Sequence, residues 1–271
     1  MKRHGVRLGK SNISYWVRGL CNPYNGTLIP SIDFLKPSKE LAYVIGVVAG
    51  DGYVLRRKKA WKSYREALVG LEVKDIEFAE EFAKCLGKVL NRDPPKPRWS
   101  ERGFVVELRC KALYELLRKP FDMEKLRRFI EHNRECKSMF LRGFFDSEGC
   151  VAENGYITVH NTDISLLRYA KQLLDSLEIE TTGPHLERKR GRVLKDPRGR
   201  TYKRKKNVYR LYVPSKFRLK FYQYIGFTIR RKQQRLEDFL IRTGRLSLQP
   251  NTPLSIPQQH HLNIKCAPAG I

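Results

Sequence analysis

Two short stretches of the chain each end an apolar run on a single carboxylate. VIGVVAGDG, residues 44–52, places Asp51 between two glycines, and LRGFFDSEG, residues 141–149, places Glu148 directly before a glycine. If each run is a helix, its acid stands at the C-terminal end, where the helix dipole is negative. Carboxylates brought together there repel each other, and divalent cations bound by carboxylate oxygens offset that repulsion. The two acids therefore predict a metal site.

The helices that would position these acids carry small residues on one stripe. Ala42, Gly46 and Gly50 are spaced four apart in the first run, and Gly143 and Ser147 repeat that spacing in the second. Four-residue spacing places side chains on one helical face, and small side chains let two backbones approach closely. We expect the two helices to pack together at the centre of the molecule and to bring the acids together.

Capping residues predict where these helices begin and end. Ser38 is the expected N-cap of a helix over residues 39–50, and the second apolar helix is expected over residues 137–147. Gly52 and Gly149 follow the two acids. They are expected in the left-handed conformation that commonly closes a helix.

The elements around these helices recur in one order, which predicts an internal duplication. Asp75 and Asp163 are each expected to cap an amphipathic helix, and a shift of 88 residues places the apolar positions of the first helix on those of the second. The apolar positions of the first are Ile76, Phe78, Ala79, Phe82, Leu86 and Val89. Strands are predicted within residues 53–74, 104–110, 156–161 and 207–213. Two such units predict an α+β fold with antiparallel sheets.

Composition indicates the kind of partner that such a chain would have. The 271 residues include 54 Lys and Arg against 28 Asp and Glu, a formal net charge of +26. A compact chain with that self-repulsion suits a polyanionic partner, and nucleic acid is the leading candidate. A ribosomal-type protein and a generally basic chain are the alternatives. No apolar run reaches membrane-spanning length, and the six cysteines lack zinc-site spacing, so we expect reduced thiols in an intracellular protein.

The two stretches resemble the signature helices of a single-chain LAGLIDADG homing endonuclease. The spacing of 97 positions from Asp51 to Glu148 suits members with two motifs in one chain. Ala49 and Gly50 depart from the motif in the first copy, whereas Asp146 keeps its first acid in the second. The resemblance implies two pseudo-symmetric αββαββα repeats whose antiparallel sheets form a saddle over DNA. The expected divisions are a basic arm (1–38), a first repeat (39–130), a second repeat (131–243) and a C-terminal tail (244–271).

The resemblance also implies a reaction, the Mg²⁺-dependent hydrolysis of DNA at a long asymmetric site with short 3′ overhangs. Asp51 and Glu148 would bind the metal, with Ca²⁺ as a substitute that does not support cleavage. The backbone carbonyls of Gly50 and Ser147 would be further ligands. A metal-held water would attack phosphorus.

Members of the family place a basic and a polar residue near that water. Lys232 is the first basic candidate here and Arg230 the second, and Asn161 occupies the polar position. Val73 aligns with Asn161 in the first repeat, so the polar partner is expected to be missing or displaced there.

Two basic segments are the expected DNA contacts. Residues 187–206 hold eleven Lys and Arg and two acids, and the Pro-Arg-Gly turn at 197–199 predicts a long hairpin. Residues 56–65 are the smaller counterpart in the first repeat. The residues assigned to DNA are Arg56, Arg57, Lys58, Lys59, Lys62, Arg188, Arg190, Arg192, Arg198, Arg200, Lys203, Arg204, Lys205 and Lys206.

Two other functions fit the same fold. One is an RNA-splicing maturase with intron RNA as partner, and the other is a DNA-binding regulator that does not cut. Both would tolerate loss of the acidic pair, and both acids are present here. We therefore expect an intron-encoded, monomeric endonuclease that acts on double-stranded DNA in the cytoplasm, nucleoid or an organelle, without a membrane.

Overall fold

The first half of the protein is a helix, a sheet and further helices. The structure is a computed structural model and describes residues 35–58, 65–195 and 199–246. The helix expected over residues 39–50 is confirmed as the first element. The elements are α1 (Lys39–Ala49), β1 (Tyr53–Lys58), β2 (Arg65–Val73), α2 (Ile76–Val89), β3 (Arg98–Trp99), β4 (Phe104–Arg109), α3 (Lys111–Leu117) and α4 (Met123–Ile130).

The second half repeats this order. Its first helix confirms the one expected over residues 137–147 and begins earlier, at Arg134. The elements are α5 (Arg134–Glu148), β5 (Gly149–Val151), β6 (Ile157–Asn161), α6 (Ile164–Ser176), β7 (Thr182–Arg188), β8 (Val193–Lys195), β9 (Thr201–Lys203), β10 (Val208–Val213), a 3₁₀ turn (Ser215–Phe217), α7 (Arg218–Tyr224) and α8 (Arg230–Arg242).

Each half contains a four-stranded antiparallel sheet, which confirms the predicted fold class. The strand orders are β1-β2-β4-β3 and β5-β6-β10-β7. Val69 lies opposite Leu108 in the first sheet, Val159 lies opposite Leu211 in the second, and all four are buried. One face of each sheet therefore joins the core, and we call the opposite face its outer face. Sequence patterning does not predict β3 or β7, because neither strand alternates apolar and polar residues.

Helices α1 and α5 pack against each other at the centre, as their small residues predict. A Cβ atom on Gly46 would overlap the carbonyl oxygen of Phe140, and one on Gly143 would lie 2.5 Å from the carbonyl oxygen of Tyr43. Every residue of α1 from Leu41 to Ala49 is buried. Glycine is the residue that permits so close an approach. The C-terminal ends of the two helices meet as a result.

The glycines after the two acids do not take the left-handed conformation expected of them. Gly149 has φ −82° and ψ 152°, because the chain passes from α5 directly into β5. Gly52 also lies outside the left-handed region. Both positions need glycine for space. A Cβ on Gly149 would overlap the carbonyl oxygen of Phe145, and one on Gly52 would lie 2.9 Å from the Cα of Val48.

Side-chain caps mark the starts of α1 and α6, but the predicted cap of α2 is absent. The side chains of Ser38 and Asp163 accept hydrogen bonds from backbone N–H groups in the first turns of α1 and α6. Asp75 precedes α2 in the same way, yet its side chain makes no capping bond. Its carboxylate accepts two hydrogen bonds from Arg231 instead, at 2.8 and 3.0 Å. The predicted side-chain cap of α2 is therefore wrong, and the acid links the two halves.

Residues 187–206 contain the expected hairpin. Strands β8 and β9 form a separate two-stranded sheet, with Val193 opposite Lys203. Lys59, Lys62 and Arg198 lie outside the described residues, as do residues 1–34 and 247–271. Within the part of the chain that is described, no helix combines the length and apolar character needed to cross a bilayer.

Candidate active site

Asp51 and Glu148 stand at the ends of the central helix pair. Glu148 is the last residue of α5, and Asp51 lies in the turn that joins α1 to β1. A Cβ on Gly50 would lie 2.9 Å from Ser147 Oγ and 3.1 Å from Glu148 Cγ. The hydroxyl of Ser147 donates to the carbonyl oxygen of Gly143 at 3.0 Å. The acid-bearing ends of the two helices are therefore in direct contact.

Both acids are harder to ionise than an exposed carboxyl group. Burial, followed by the charge of Asp51, raises the pKa of Glu148 from 4.5 to about 7. Asp51 keeps solvent access on one side, yet the protein removes enough of its water to raise its pKa, while Lys232 and Lys119 oppose that rise. Two carboxylates that are costly to ionise together are suited to share a bound cation.

Asn161, at the end of β6, contacts Glu148 from the second sheet. Its Nδ2 donates to Glu148 Oε1 at 3.2 Å, and its Oδ1 accepts from the backbone N–H of Asp163 at 2.8 Å. The second bond determines which end of the amide faces Glu148. The aligned residue in the first repeat, Val73, is apolar and lies opposite Phe104. The two halves of the site therefore differ in this polar neighbour.

Lys232 reaches the end of α5 from the buried side. Its side chain is buried, and its ammonium donates to the backbone carbonyl oxygens of Phe145 and Asp146. Burial lowers the pKa of Lys232, and the charge of Asp146 opposes that shift. A cation at this point offsets the negative end of the helix that bears Glu148.

Asp146 is a buried acid whose bonds hold this region together. Tyr43 of α1 donates to its Oδ2 at 3.0 Å, and the backbone N–H of Thr228 donates to its Oδ1 at 2.9 Å. Burial raises the pKa of Asp146. The two bonds join α1, α5 and the loop before α8, and so they position Lys232. Sequence reasoning treats Asp146 only as a retained motif acid, because its partners are 103 and 82 residues away along the chain.

Arg230 and Arg231 fasten the start of α8 to the start of α2. Arg230 is exposed, and its backbone N–H donates to Glu77 Oε1 at 2.9 Å. Arg231 binds Asp75, and this pairing lowers the pKa of the Asp75 carboxyl. Glu77 and Asp75 thus both bind α8 from the start of α2.

A cleft of about 690 Å³ opens beside Glu148. It lies at the start of α6, the helix that corresponds to α2 in the second half. Its other side is the segment that leads from α3 into α4, which contributes Lys119, Pro120, Phe121 and Met123. Its basic lining residues are Lys119, Arg127, Arg168 and Lys206. At the corresponding place in the first half, the start of α2, Arg231 of α8 binds Asp75.

Lys119 is the residue that sequence reasoning missed. Its charge acts to lower the pKa of both Asp51 and Glu148. The side chain is exposed and lies two residues after α3, in the turn that leads to α4. Lys232 is instead the third residue of α8, so the internal duplication does not identify Lys119.

The basic residues assigned to DNA do not share one surface. Arg56 lies on the helix side of β1, 2.9 Å from Glu115 and 5.0 Å from the ring centre of Tyr114. Arg57 lies on the outer face, where Glu107 binds it. Arg204 is half-buried. Arg56 and Arg57 are exposed despite these partners, and the other exposed members are Lys58, Arg188, Arg190, Arg192, Arg200, Lys203, Lys205 and Lys206.

The donors at the paired helix ends are oxygens. Within residues 35–58, 65–195 and 199–246, no three His, Cys, Asp or Glu side chains form a cluster that could hold a metal ion. A cation at this point would therefore draw on the two carboxylates and on neutral oxygens. Such a set fits hard cations such as Mg²⁺, Mn²⁺ and Ca²⁺.

Comparison with known sequences gives a family match and three relatives, two of which are more than 30% identical to this chain. A profile described as a LAGLIDADG-like domain matches residues 135–226. The uncharacterized protein MJ0398 of Methanocaldococcus jannaschii is 34% identical over 244 residues, which cover 87% of this chain and 83% of the relative. The uncharacterized protein MJ0314 of the same organism is 31% identical over 157 residues, 54% of this chain and 57% of the relative.

Solved structures share the fold. The structure of I-DmoI in complex with DNA and Ca matches with a TM-score of 0.54 at 19% identity, covering 74% of this chain and 97% of that one. The complex of I-DmoI with DNA and Mn matches with a TM-score of 0.51 at 19% identity, covering 70% and 97%. The solved structures show the shared fold, and the profile match, the relative that aligns over most of both chains and the paired signature helices show that the chain belongs to the LAGLIDADG family.

Proposed function

We propose that this protein is a site-specific endonuclease that uses divalent metal to cut both strands of DNA at a long asymmetric target. The observation that carries the proposal is the contact between the two acid-bearing helix ends. Burial and the charge of Asp51 raise the pKa of Glu148 to about 7, so the fully ionised pair is costly without a cation. I-DmoI, which shares the fold, has been solved with DNA and Ca and with DNA and Mn.

Asp51 and Glu148 are the proposed metal ligands, with the backbone carbonyls of Gly50 and Ser147 as further oxygens. Mg²⁺ is the proposed cofactor and Ca²⁺ its non-productive substitute. When bound, the cation supplies positive charge that stabilises the transition state of phosphodiester hydrolysis and lowers the pKa of a water. The hard oxygen donors at the helix ends support this assignment.

The surrounding residues have separate proposed roles. Asn161 orients Glu148 through its amide. Lys232 offsets the negative end of α5 from the buried side, so its action on the reaction is through Glu148. Lys119 approaches both acids from the solvent-exposed side and is the lysine proposed to contact the reacting phosphate or water. Arg230 is the weaker candidate, since its side chain is exposed at the start of α8.

Binding of duplex DNA is proposed to depend on the sheets and the basic hairpin. A net charge of +26 favours a polyanion, and the exposed cations of residues 187–206 extend from the second sheet. One chain carries both signature helices, so a monomer suffices to supply both acids. Retention of both acids favours cleavage over the alternatives of a maturase on intron RNA and a regulator that does not cut. An intron is the proposed location of the gene, with the joined flanking exons as the target.

Cleavage of the joined flanking exons, cloned in a plasmid, tests the proposal. Wild-type protein should linearise the plasmid in Mg²⁺ with short 3′ overhangs, and a chelator should abolish the reaction. Asp51→Asn and Glu148→Gln should bind the same duplex but fail to cut both strands, because each replaces a charged ligand by a neutral one of nearly equal size. Glu80→Gln, at an exposed position on α2, is the matched control and should cut normally. Cutting at the wild-type rate by either acid variant would contradict the site.

A further inference from the structure

On the outer face of the first sheet, two arginines lie around one carboxylate. Glu107 of β4 accepts from both terminal nitrogens of Arg57 at 2.9 and 2.5 Å, and Arg98 of β3 lies 3.8 Å away. The side chain of Glu107 is 12% exposed, against 45% for Arg57 and 72% for Arg98. The acid therefore lies beneath two cations that remain accessible to a partner.

Tyr53 completes this group. Its hydroxyl donates to Glu107 Oε1 at 2.9 Å. Its ring lies over Gly70 of β2, where a Cβ atom would come within 2.6 Å of the ring. Tyr53, Gly70 and Glu107 are neighbours across three adjacent strands. The glycine makes room for the ring, and the ring fixes the carboxylate on which Arg57 is held.

The second sheet carries an independent group of the same kind. Glu187 of β7 lies 3.0 Å from His160 Nε2, 3.8 Å from Arg210 and 3.9 Å from Arg188. His160 and Arg210 are directly opposite each other on β6 and β10. They alternate with the buried Val159 and Leu211, so this group also lies on an outer face.

A carboxylate among these cations has two opposing effects on DNA binding. It repels phosphates and occupies guanidinium donors, which weakens binding to DNA of any sequence. Where it accepts two bonds from one guanidinium, as Glu107 does from Arg57, it also holds that arginine in one orientation, and a fixed guanidinium fork is suited to the two acceptors of a guanine edge. Phosphate contacts carry no sequence information, whereas base-edge contacts do. An acid that suppresses the first kind of contact and orders the second therefore increases discrimination between sequences.

We propose that Glu107 and Glu187 are specificity-determining residues, each of which holds the arginines of its sheet for base edges and weakens binding to DNA of arbitrary sequence. The proposal rests on the proposed function only in taking duplex DNA as the partner. It does not require the protein to cut.

The first test is equilibrium binding of the full chain to random-sequence duplexes of about 40 base pairs, long enough to accommodate many phosphate contacts. Glu107→Gln should bind them about three- to fivefold more tightly than wild type, the range of a surface ion pair worth up to about 1 kcal/mol. Each arginine released to a phosphate should steepen the slope of log affinity against log salt by about 0.9. Arg57→Gln should change affinity in the opposite direction. Glu80→Gln changes the net charge equally on α2 and should alter affinity by less than about twofold.

The second test is selection of bound sequences from the same random library. Glu107→Gln should lose base preference in one part of the selected site, and Glu187→Gln should lose it in the other, because the two groups belong to different sheets. A merely structural loss would weaken preference throughout. Tyr53→Phe keeps the charge and removes one hydrogen bond to Glu107, so it should cause a smaller loss in the same part of the site as Glu107→Gln.

The outcomes separate this proposal from the nuclease proposal. If Glu107→Gln and Glu187→Gln match Glu80→Gln in affinity, salt slope and selected sequences, the carboxylates do not determine specificity. If Glu107→Gln fails to fold, Tyr53→Phe and Glu187→Gln test the proposal in its place. Wild-type binding without cleavage would overturn the nuclease alone, and wild type that binds no duplex would overturn both.

Discussion

Gly143 of α5 lies against the main chain of Tyr43 in α1, so closely that a Cβ atom would stand 2.5 Å from the Tyr43 carbonyl oxygen. Gly46 makes the reciprocal approach to the main chain of Phe140. These two contacts set the separation of the central helices. The meeting of Asp51 and Glu148 at the helix ends depends on them.

Alanine at either central glycine should therefore destabilise the fold and separate the acids. The added methyl group must displace a rigid backbone, so Gly143→Ala and Gly46→Ala should each cost about 1–3 kcal/mol or more in urea unfolding. Gly191→Ala is the control, since its Cβ would meet nothing within 4 Å although its φ is +84°. Conformational strain alone should cost the control about 1 kcal/mol. Equal losses at all three positions would contradict the close approach.

The raised pKa of Glu148 predicts that stability depends on pH. Its value of about 7 in the folded protein lies above the ordinary 4.5, so the folded state holds a proton that the unfolded chain has released. Stability therefore falls as pH rises through this window, by on the order of 1–3 kcal/mol. Glu148→Gln has no carboxyl group to titrate at this position. The amount by which its free energy of unfolding exceeds that of wild type should therefore grow between about pH 5 and about pH 8, as measured by urea unfolding in the presence of a chelator. Mg²⁺ should reduce this difference in the free energy of unfolding. A difference that stays constant with pH would contradict the raised pKa of Glu148.

Lys119 and Lys232 should respond differently to substitution. Lys119→Met removes an exposed charge, so stability should change by less than about 0.5 kcal/mol while cleavage falls about 100-fold or more. Lys119→Arg, which keeps the charge, should recover part of the rate. Lys232→Met removes a buried cation from Asp146 and the end of α5, and it should lower the free energy of unfolding by roughly 2–4 kcal/mol. The reverse pattern would assign the reacting phosphate to Lys232.

The exposed lysines of the hairpin should act through phosphates. Replacing Lys203, Lys205 and Lys206 together by glutamine should weaken binding to all duplexes alike and flatten the salt slope by about 2.7, or about 0.9 per contact. The cleavage position should not move. The matched control replaces three lysines that already have acidic partners, namely Lys125, Lys171 and Lys216. A slope unchanged by the hairpin substitutions would show that this segment does not meet the backbone of DNA.

Local patterns in the sequence are sufficient to predict the framework of this protein. The small residues at four-residue spacing predict that α1 and α5 pack together, because spacing along a helix determines which side chains share a face. The recurrence of apolar positions predicts two units with antiparallel sheets. The acid at the end of each apolar run predicts that two negative charges lie at the ends of these helices. These features depend on residues a few positions apart.

The tertiary structure alone decided which side chains meet across the molecule. Asp75 has the sequence of a helix cap, yet it binds Arg231, which is 156 residues away. Lys119 acts on both acids, and Glu107 holds Arg57 although 50 residues separate them. No local periodicity encodes such pairs, because they depend on strand register and on the packing of the two halves. For the same reason, the residues proposed to cut DNA could be selected from the sequence more readily than those proposed to read it.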